Sequence, residues 1–329
     1  MKVSAQWIYN SYKIIRMKTL ICGSLAYDTV LKFPDRFSNY LLAEHIKNLS
    51  VCFVSTEMRR EFGGAAGNIA YNLKLLGGQP VLMGTVGRDF IEYREWLKKC
   101  EIPDIFVKEV EGVYTAQCVI TTDIDNNQIT SFHPGAMNEA HQNHVIDAKD
   151  VTLGIVAPDG RLGMIQHAND FSDLNIPFIF DPGQNVGLFS KKELNTFVEQ
   201  ASWLIMNSYE SNLFLDIIGG TIEEHASRLE ALIVTGGSAG SLIYHGKSVN
   251  SVPAAKISQA LDPTGCGDAY RAGILHGLQK GWGWEHIGKL ASLTGALNIE
   301  HHGTQNHSFQ IEDLATRYKT EFGEFCPAI

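Results

Sequence analysis

The stretch Asp262-Pro-Thr-Gly-Cys-Gly-Asp-Ala-Tyr-Arg-Ala-Gly273 decides how the rest of the chain is interpreted, because a glycine turn in it leads into a helix. Gly265 and Gly267 flank one small residue, Cys266, so three successive backbone N–H groups can point at one anion. Small and apolar residues then recur at helical spacing from Ala269 to Leu278, which places the turn at a helix N-terminus and its positive dipole end. The turn is therefore predicted to bind a phosphate.

Asp268 occupies the first turn of this predicted helix, beside the phosphate site. The helix dipole keeps a carboxylate there ionised, which suits a general base that takes a proton from an attacking hydroxyl. The alternative is an ordinary turn in which Asp268 only caps the helix. On the first interpretation the catalytic residues are Gly265, Cys266, Gly267 and Asp268.

Two stretches resemble the signatures of one enzyme family. Asp262–Gly273 resembles the second signature of the ribokinase-like, or phosphofructokinase-B, carbohydrate and nucleoside kinases, whose usual form is Asp-Thr-Thr-Gly-Ala-Gly-Asp. Pro263 and Cys266 depart from that form, and neither change removes a backbone donor that the phosphate site needs. Glu61–Gly78 resembles the first signature, a glycine-rich start of a helix that ends on glycines. The resemblance is strongest to bacterial adenosine kinase-like members and implies a kinase that uses ATP.

Four residues are predicted to bind the substrate. Asp28 follows a short apolar strand that begins at Thr19, and strand ends in open α/β sheets commonly contact ligands. Gly63 and Gly64 allow close backbone approach, and Asn68 offers a donor and an acceptor to vicinal hydroxyls. The resemblance implies that Asp28 also binds substrate hydroxyls. The alternative for Asp28 is a turn cap.

The region from Phe33 to Phe62 is neither helically periodic nor polar enough for a plain loop, and Leu49–Val54 favours a strand. The resemblance implies a small β-sheet lid inserted at about 33–62, with parts of about 115–135, that closes over the substrate and excludes water. An ordinary excursion at the sheet edge is the alternative. A nucleoside base under this lid is expected to contact apolar side chains such as Phe53, Leu42 or Phe37.

Two strand ends in the second half carry acidic or amide residues. Ile176–Asp181 has the pattern of a buried parallel strand that ends in an acidic site at Asp181. Asn207-Ser-Tyr-Glu210 follows another strand and resembles the family motif for Mg²⁺ and phosphate handling, so Glu210 is predicted to hold Mg²⁺ through water. A capping box that starts a helix is the compatible alternative for Asn207 and Glu210.

The resemblance also implies which residues contact the nucleotide and a monovalent cation. The cofactor-binding residues predicted in this way are Asn207, Glu210, Thr235, Gly237 and Asn298. The residues predicted to bind a monovalent cation, K⁺ in this family, are Asp262, Thr264 and Gly303. His302 and His307 depart from the small or basic residues that the family has near this segment.

Two short patterns suggest other chemistry and are set aside because of their context. Gly236-Gly-Ser-Ala-Gly240 matches the nucleophile turn of serine hydrolases, which requires a following helix, whereas Ser241–Tyr244 favours a strand. Gly240 and Gly246-Lys-Ser248 nearly form a Walker A loop, but five residues intervene instead of four. A serine hydrolase that uses Ser238 is kept as an alternative, as is a nucleotide-binding regulatory protein without turnover.

Composition restricts the partners. The chain has 329 residues, of which 44% are hydrophobic, and a formal net charge of −9, with no Lys/Arg run of the kind that binds nucleic acid or an anionic membrane. No stretch reaches the roughly 18 apolar residues of a membrane span. The six cysteines have no C-x-x-C spacing and suit a reducing cytoplasm. We therefore expect a small-molecule substrate and a monomer or a homodimer formed through the lid.

Strands, helices and strand-end turns recur without a break in composition, which predicts a doubly wound α/β fold with a mostly parallel sheet flanked by helices. Met17 begins a run that leads directly into the first strand, so residues 1–16 are interpreted as an N-terminal extension and 17–329 as the kinase domain with its lid. With the resemblance, the predicted reaction is transfer of the γ-phosphate of ATP to the 5′-hydroxyl of a nucleoside, adenosine first, in a cytoplasmic enzyme. A sugar kinase of ribokinase or fructokinase type is the alternative.

Overall fold

The computed structural model describes residues 18–41 and 50–327. Its strands are β1 Lys18–Cys22, β2 Ala26–Lys32, β3 Glu57–Gly63, β4 Gln79–Val86, β5 Phe106–Glu109, β6 Ala116–Thr122, β7 Gln128–His133, β8 Val151–Val156, β9 Phe178–Phe180, β10 Trp203–Asn207, β11 Ala231–Thr235, β12 Ser241–His245 and β13 Ser248–Val252. Its α-helices are α1 Ala65–Leu75, α2 Ile91–Lys99, α3 Arg161–Asp173, α4 Lys191–Gln200, α5 Ser208–Ile218, α6 Ile222–Ala226, α7 Cys266–Gln279, α8 Trp284–Ile299 and α9 Ile311–Phe322.

The larger of the sheets in these ranges has nine strands in the order β13-β12-β11-β10-β9-β8-β1-β4-β5. Every neighbouring pair from β11 to β5 is parallel. The hairpin strands β12 and β13 run antiparallel to their neighbours at one edge. The predicted fold class, a doubly wound and mostly parallel sheet flanked by helices, is confirmed.

Different helices cover the two faces of this sheet. Side chains of α1, α2, α7 and α8 pack on one face, and side chains of α3, α4 and α5 pack on the other. In β1, Ile21 contacts the first layer while Leu20 and Cys22 contact the second, because successive side chains in a strand point to opposite faces. A strand that is covered on both faces needs apolar residues at successive positions, which explains runs such as Leu204–Met206.

The carboxyl ends of the parallel strands meet along one edge of the sheet. Cys22 at the end of β1 is in register with Val156 of β8, which is in register with Phe180 of β9. Asn207 at the end of β10 is in register with Thr235 of β11. The segments that follow these ends border one crevice, which is where ligands bind in such sheets.

A second sheet of four strands has the order β3-β2-β6-β7 and includes Asp28 in the interior of β2. Asp28 therefore lies inside a strand of the small sheet instead of just beyond the end of β1. The run predicted as a strand at 49–54 contains no strand over its described part, 50–54, and the strand β3 begins at Glu57. The reason is local packing, because Phe53 contacts the rings of Phe33 and Phe37.

The glycine pattern Gly236–Gly240 connects two antiparallel strands, β11 and β12, through a short 3₁₀ turn. A serine nucleophile turn requires a strand followed by a helix, so Ser238 lacks the context of a hydrolase nucleophile. Gly246-Lys-Ser248 lies in the hairpin between β12 and β13 and does not start a helix. The structure therefore excludes a serine nucleophile turn and a Walker A loop, because neither glycine pattern is followed by a helix. Among the helices within 18–41 and 50–327, none is long and apolar enough to cross a membrane.

Candidate active site

The turn before α7 has the geometry that its glycines predict. Gly265 adopts the left-handed conformation, with φ of 79°, and a side chain there would also contact Thr304. The Cys266 N–H donates to the Pro263 carbonyl at 3.3 Å, so it closes the turn instead of joining the predicted set of donors. Within the described structure, no hydrogen bond uses the backbone N–H groups of Gly265, Gly267 or Asp268. These N–H groups are therefore available to an anion at the positive end of α7.

The Asp262 carboxylate stabilises this turn by accepting backbone hydrogen bonds. It accepts hydrogen bonds from the backbone N–H groups of Thr264 at 3.0 Å and Gly303 at 3.1 Å, and it pairs with the Arg59 guanidinium at 3.2 Å. Partial burial alone would raise the pKa of Asp262, but these contacts lower it below its usual value. The predicted cation residues Asp262, Thr264 and Gly303 do lie together. Their binding of a monovalent cation stays a prediction, and no step proposed below depends on one.

Asn298 supports the same turn from α8. Its side chain is buried, and its Nδ2 donates to the Thr264 carbonyl at 2.7 Å. Its Oδ1 has no hydrogen-bond partner within the described structure. Asn298 thus lies behind the turn, and its direct contact with a nucleotide stays a prediction.

Asp268 lies in the first turn of α7 with one carboxylate oxygen engaged. The Nδ2 of Asn68 in α1 donates to Asp268 Oδ2 at 2.8 Å, whereas Asp268 Oδ1 makes no hydrogen bond to any described residue. Burial raises the pKa of Asp268 to about 6, against the lowering effects of Arg271 and of the Asn68 hydrogen bond, and the carboxylates of Asp181 and Asp28 raise it further. A base with this pKa is mostly ionised at neutral pH and still accepts a proton readily.

Arg271, one turn further along α7, forms a buried ion pair with Asp181 after β9. Arg271 Nη2 donates to Asp181 Oδ1 at 2.7 Å, and its Nε bonds the other carboxylate oxygen. Arg271 Nη1 also donates to the carbonyl of Gly267 at 2.9 Å. Asp181 is therefore occupied by Arg271 and is not a free ligand at the strand end. This ion pair fixes α7 to the sheet and places a positive charge near Asp268.

Asp28 is the second carboxylate of the crevice. Burial, followed by repulsion from Asp262 and Glu61, raises the pKa of Asp28 to about 6. A Cβ at Gly63 would lie 2.4 Å from Asp28 Oδ2, so only glycine at this position leaves the carboxylate its place. Asp28 and Gly63 are therefore close neighbours, and their role in substrate binding stays a prediction.

Gly64 brings the start of α1 against the end of β1. It has φ of +84°, and a Cβ there would lie 2.5 Å from the Ser24 carbonyl oxygen. Ser24 also caps α1. Its Oγ accepts a hydrogen bond from the Ala65 N–H at 3.1 Å, and its carbonyl oxygen accepts one from the Ala66 N–H at 3.0 Å. This close approach places Asn68, one turn into α1, opposite Asp268 of α7.

A cavity of about 980 Å³ separates the small sheet from the turn before α7, and we call it the acceptor cavity. Asp28 lines it together with Asp262 and Thr304, and its apolar lining consists of Val30, Met58, Ile120, Ile124, Leu261 and Pro263. The expected base-pocket residues Phe37 and Phe53 do not line it, because they pack against each other and against Phe33. That expectation is wrong for these two side chains, and Leu42 lies outside the described residues.

A second cavity, of about 590 Å³, lies on the other side of Pro263, and we call it the donor cavity. Thr235 and Gly237 line it together with Cys266 and Gly267 of the turn, so the predicted nucleotide residues and the predicted phosphate site border the same space. The remaining wall is largely apolar, with Ile257, Ala296 and Ile299 among its residues. This shape and lining suit a nucleotide whose base meets apolar side chains.

Asn207 and Glu210 form a capping box at the start of α5. Asn207 Oδ1 accepts from the Glu210 N–H at 2.9 Å, and Glu210 Oε2 accepts from the Asn207 N–H at 2.8 Å. The structural alternative named for this pair is therefore present. Glu210 is buried, its Oε1 bonds no described residue, and burial raises its pKa. A buried carboxylate with a spare oxygen fits a nearby divalent cation held through water.

Sequence patterns did not indicate several residues that complete the site. The pairing of Arg271 with Asp181 joins positions 90 residues apart, and Gln305, which bonds Asn68 at 3.0 Å, lies 237 residues from its partner. For Arg271 the sequence offered one local indication: it lies three positions after Asp268 on the same helix, which places the two side chains on one face. Gln305 had none, because it follows α8 in a segment without a recognisable pattern.

The chain is similar to kinases of one family. The sequence model described as pfkB family carbohydrate kinase matches residues 50–311. A nucleoside kinase from Methanocaldococcus jannaschii is 33% identical over 298 residues, which are 89% of this chain and 94% of that protein. An adenosine kinase from Saccharomyces cerevisiae is 26% identical over 289 residues, covering 76% of this chain and 81% of that protein.

Among solved structures, the nucleoside kinase of Burkholderia thailandensis in complex with inosine matches with a TM-score of 0.86 and 46% identity. The match covers 94% of this chain and all of that one, 100%. The same kinase in complex with ADP-inosine matches with a TM-score of 0.84 and 44% identity, over 94% of this chain and 98% of that one.

The electrostatics of Asp268 predict that Asp268→Asn stabilises the folded protein above about pH 6. The folded-state pKa of about 6 lies above the unfolded value, so the contribution of Asp268 to stability is complete below about pH 4 and is lost as pH rises through 6. At pH 8 the variant should be more stable by about 1–3 kcal/mol, and at pH 4 the difference should vanish. Urea unfolding at both pH values measures this.

The control is Asp216→Asn on α5, which removes an exposed carboxylate and should leave stability within about 0.5 kcal/mol at both pH values. Equal stability of wild type and Asp268→Asn at pH 8 would show that burial does not disfavour the Asp268 carboxylate.

Proposed function

The chain belongs to the pfkB family of carbohydrate kinases, and we propose that within this family it is an ATP-dependent nucleoside kinase that phosphorylates the 5′-hydroxyl of adenosine. The observation that carries the proposal is the position of Asp268. It directly follows Gly267 of the donor cavity, its Oδ1 makes no hydrogen bond to a described residue, and its carboxylate interacts electrostatically with Asp28 of the acceptor cavity. A base placed between a donor site and an acceptor site is what phosphoryl transfer to an alcohol requires.

In the proposed reaction, Asp268 Oδ1 takes the proton of the acceptor hydroxyl as the hydroxyl oxygen bonds to the γ-phosphorus of ATP. The bond from that phosphorus to the bridging oxygen of ADP breaks, so the products are the nucleoside monophosphate, ADP and a proton on Asp268. The N–H groups of Gly265, Gly267 and Asp268 are proposed to bind the transferred phosphoryl group at the positive end of α7. Thr235 and Gly237 are proposed to hold the nucleotide, with Asn298 behind the turn.

Mg²⁺, when bound with ATP, would neutralise negative charge on the phosphates. Glu210 and Asn207 are the residues proposed to hold it through water, and Glu210 Oε1 is the atom left over by the capping box. The Arg271 guanidinium stays paired with Asp181 in this proposal. Its role is to keep Asp268 ionised and to hold the Gly267 carbonyl, which fixes the direction of the neighbouring N–H groups.

The acceptor cavity supports a nucleoside over a free sugar. Its volume of about 980 Å³ and its apolar lining exceed what a pentose needs, because a pentose presents mostly hydroxyls. Asp28 is proposed to bind the ribose diol, with Gly63 and Gly64 leaving room for close approach of the backbone. Val30, Ile120 and Leu261 would then contact the base. The inosine complex and the adenosine kinase among the similar proteins support a purine nucleoside and make inosine the nearest competitor to adenosine.

The small sheet is proposed to act as a lid over the acceptor cavity. Its strand β3 carries Arg59, which pairs with Asp262 of the main body, and its strand β2 carries Asp28. Exposed apolar side chains of β7, Ile129 and Phe132, make the small sheet the proposed surface for a homodimer. We also propose that the protein is cytoplasmic, because the cytoplasm supplies ATP and keeps the unpaired cysteines of the protein reduced.

The first prediction of this proposal concerns the acceptor. With ATP and Mg²⁺, adenosine should be phosphorylated at its 5′-hydroxyl with a kcat/KM above that for ribose or fructose. Removal of either diol hydroxyl, in 2′-deoxyadenosine or 3′-deoxyadenosine, should lower kcat/KM by about 10²-fold or more, because Asp28 would be left without its partner. A coupled assay over this panel, with inosine included, measures it.

The panel has two informative outcomes besides the expected one. A higher kcat/KM for inosine would keep the nucleoside kinase and replace adenosine as its substrate. Ribose or fructose with kcat/KM equal to or above that for the nucleosides would overturn the proposal in favour of a sugar kinase.

The second prediction concerns the general base. Asp268→Asn should lower turnover by about 10²-fold to 10⁴-fold while nucleoside binding persists, because the variant keeps the side-chain shape but loses the proton acceptor. In the wild type, kcat/KM should fall below about pH 6, where Asp268 becomes protonated. Asp216→Asn serves as the control with one carboxylate fewer. Turnover above about a tenth of wild type in Asp268→Asn would remove Asp268 from this role.

The third prediction concerns Mg²⁺. Glu210→Gln should raise the Mg²⁺ concentration for half-maximal rate several-fold, about 3-fold to 10-fold, while glutamine preserves the capping box and thus the stability of α5. Glu224→Gln is the matched control, because Glu224 forms the same kind of capping box with Thr221 at the start of α6. An Mg²⁺ titration that is identical for the wild type and Glu210→Gln would leave Glu210 with a capping role alone.

A further inference from the structure

Gln305 is buried and lies outside the sequence motifs, yet all its side-chain bonds lead towards the candidate site. Its Oε1 accepts from the indole Nε1 of Trp96 at 2.9 Å. Its Nε2 donates to Asn68 Oδ1 at 3.0 Å and to the Tyr93 hydroxyl at 2.6 Å. Gln305 therefore connects α2, which carries Trp96 and Tyr93, with Asn68 on α1.

The direction of this chain of hydrogen bonds is fixed by chemistry. An indole N–H can only donate, so the Gln305 oxygen must face Trp96 and its NH₂ must face Asn68 and Tyr93. Asn68 must then accept with Oδ1, which leaves its Nδ2 to donate to Asp268 Oδ2 at 2.8 Å. The Gln305 and Asn68 amides therefore have only one orientation that satisfies Trp96 at one end and Asp268 at the other. Without such partners, either amide could rotate by 180°.

A second branch of the same hydrogen-bond chain ends beside the other carboxylate, Asp28. The Tyr93 hydroxyl accepts from Gln305 and donates to the Gly63 carbonyl at 2.9 Å. Gly63 is the residue whose missing side chain leaves room for Asp28 Oδ2. Space here is tight, since a Cβ at Gly67 would lie 1.9 Å from the Tyr93 hydroxyl oxygen. On the first branch one residue, Asn68, lies between Gln305 and Asp268. On the second branch the hydrogen bonds end at the Gly63 carbonyl, beside Asp28.

We propose that Gln305 is a positioning residue, which fixes the Asn68 amide so that Nδ2 binds Asp268 Oδ2 and Oδ1 of Asp268 stays open to the acceptor hydroxyl. The inference rests on the proposed kinase function. Without the Gln305 donor, the Asn68 amide can rotate and present its oxygen to Asp268, which disfavours the ionised base. Arg271 on α7 would still favour that ionised form, while Asp181 after β9 and Asp28 on β2 would oppose it.

The test is Gln305→Met, which removes both donors with a similar volume and no new charge. The acid limb of the kcat/KM profile should move upward by about one pH unit, because a donor to a charged carboxylate is lost. At pH 6 the ionised fraction of Asp268 then falls from about one half to about one eleventh, so kcat/KM should fall about fivefold there and much less at pH 8. KM for the nucleoside should change little in comparison.

Two comparisons separate positioning from a merely structural role. Tyr71→Phe removes a buried hydrogen bond to the carbonyl of His307, at 2.6 Å in the same segment, without touching Asn68. It should lower stability and leave the acid limb where it is. In an Asn68→Ala background, Gln305→Met should add no further shift of the acid limb, because its effect passes through Asn68. If Gln305→Met does not fold, Trp96→Phe releases the same amide and should shift the limb in the same direction.

The outcomes are distinct. Suppose that the wild-type enzyme phosphorylates nucleosides but the acid limb is unchanged in Gln305→Met or in Trp96→Phe. This result would overturn the inference about Gln305 and leave the kinase function standing. Additive shifts in the Asn68→Ala background would also overturn it. A wild-type enzyme without nucleoside phosphorylation would overturn the proposed function, and the role of Gln305 with it.

Discussion

The partial burial of one carboxylate, Asp268 at the start of α7, is the constraint on which the rest of the site depends. Burial makes the ionised form of Asp268 costly and raises its pKa to about 6. Arg271 and the Asn68 amide offset that cost, and each of them is held in turn by a buried partner: Asp181 for Arg271, and Gln305 for Asn68. Keeping this base ionised at neutral pH therefore lowers the net free energy of unfolding.

Close packing of backbone segments sets the positions of the other residues of the site. The small residues of the α1 entrance let Ser24 and Gly64 pack closely, which sets the position of Asn68 relative to α7. The turn before α7 is closed by Asp262, which bonds both Thr264 and Gly303. The donor and acceptor cavities share Pro263, and Asp268 directly follows Gly267 of the donor cavity.

Sequence patterns predicted the parts of this site that are local. The glycines around Cys266 and the apolar repeat after them predicted the turn and helix, and buried strand runs predicted the doubly wound sheet, because each depends on neighbouring residues. The small sheet was predicted less well: the apolar run before β3 packs as an aromatic cluster around Phe53, a tertiary contact that strand propensity cannot reveal. Gln305 and the Arg271–Asp181 pair were missed because their partners are far away in sequence.

The most direct test of this account is the titration of Asp268 itself, observed by NMR in protein labelled with ¹³C at the aspartate carboxyl groups. The Asp268 resonance is identified by its absence in Asp268→Asn. The account predicts an apparent pKa near 6 for this resonance and the same value for the acid limb of kcat/KM with a nucleoside acceptor. A resonance that titrates near the ordinary aspartate value of about 4, or an acid limb with a different pKa, would contradict it.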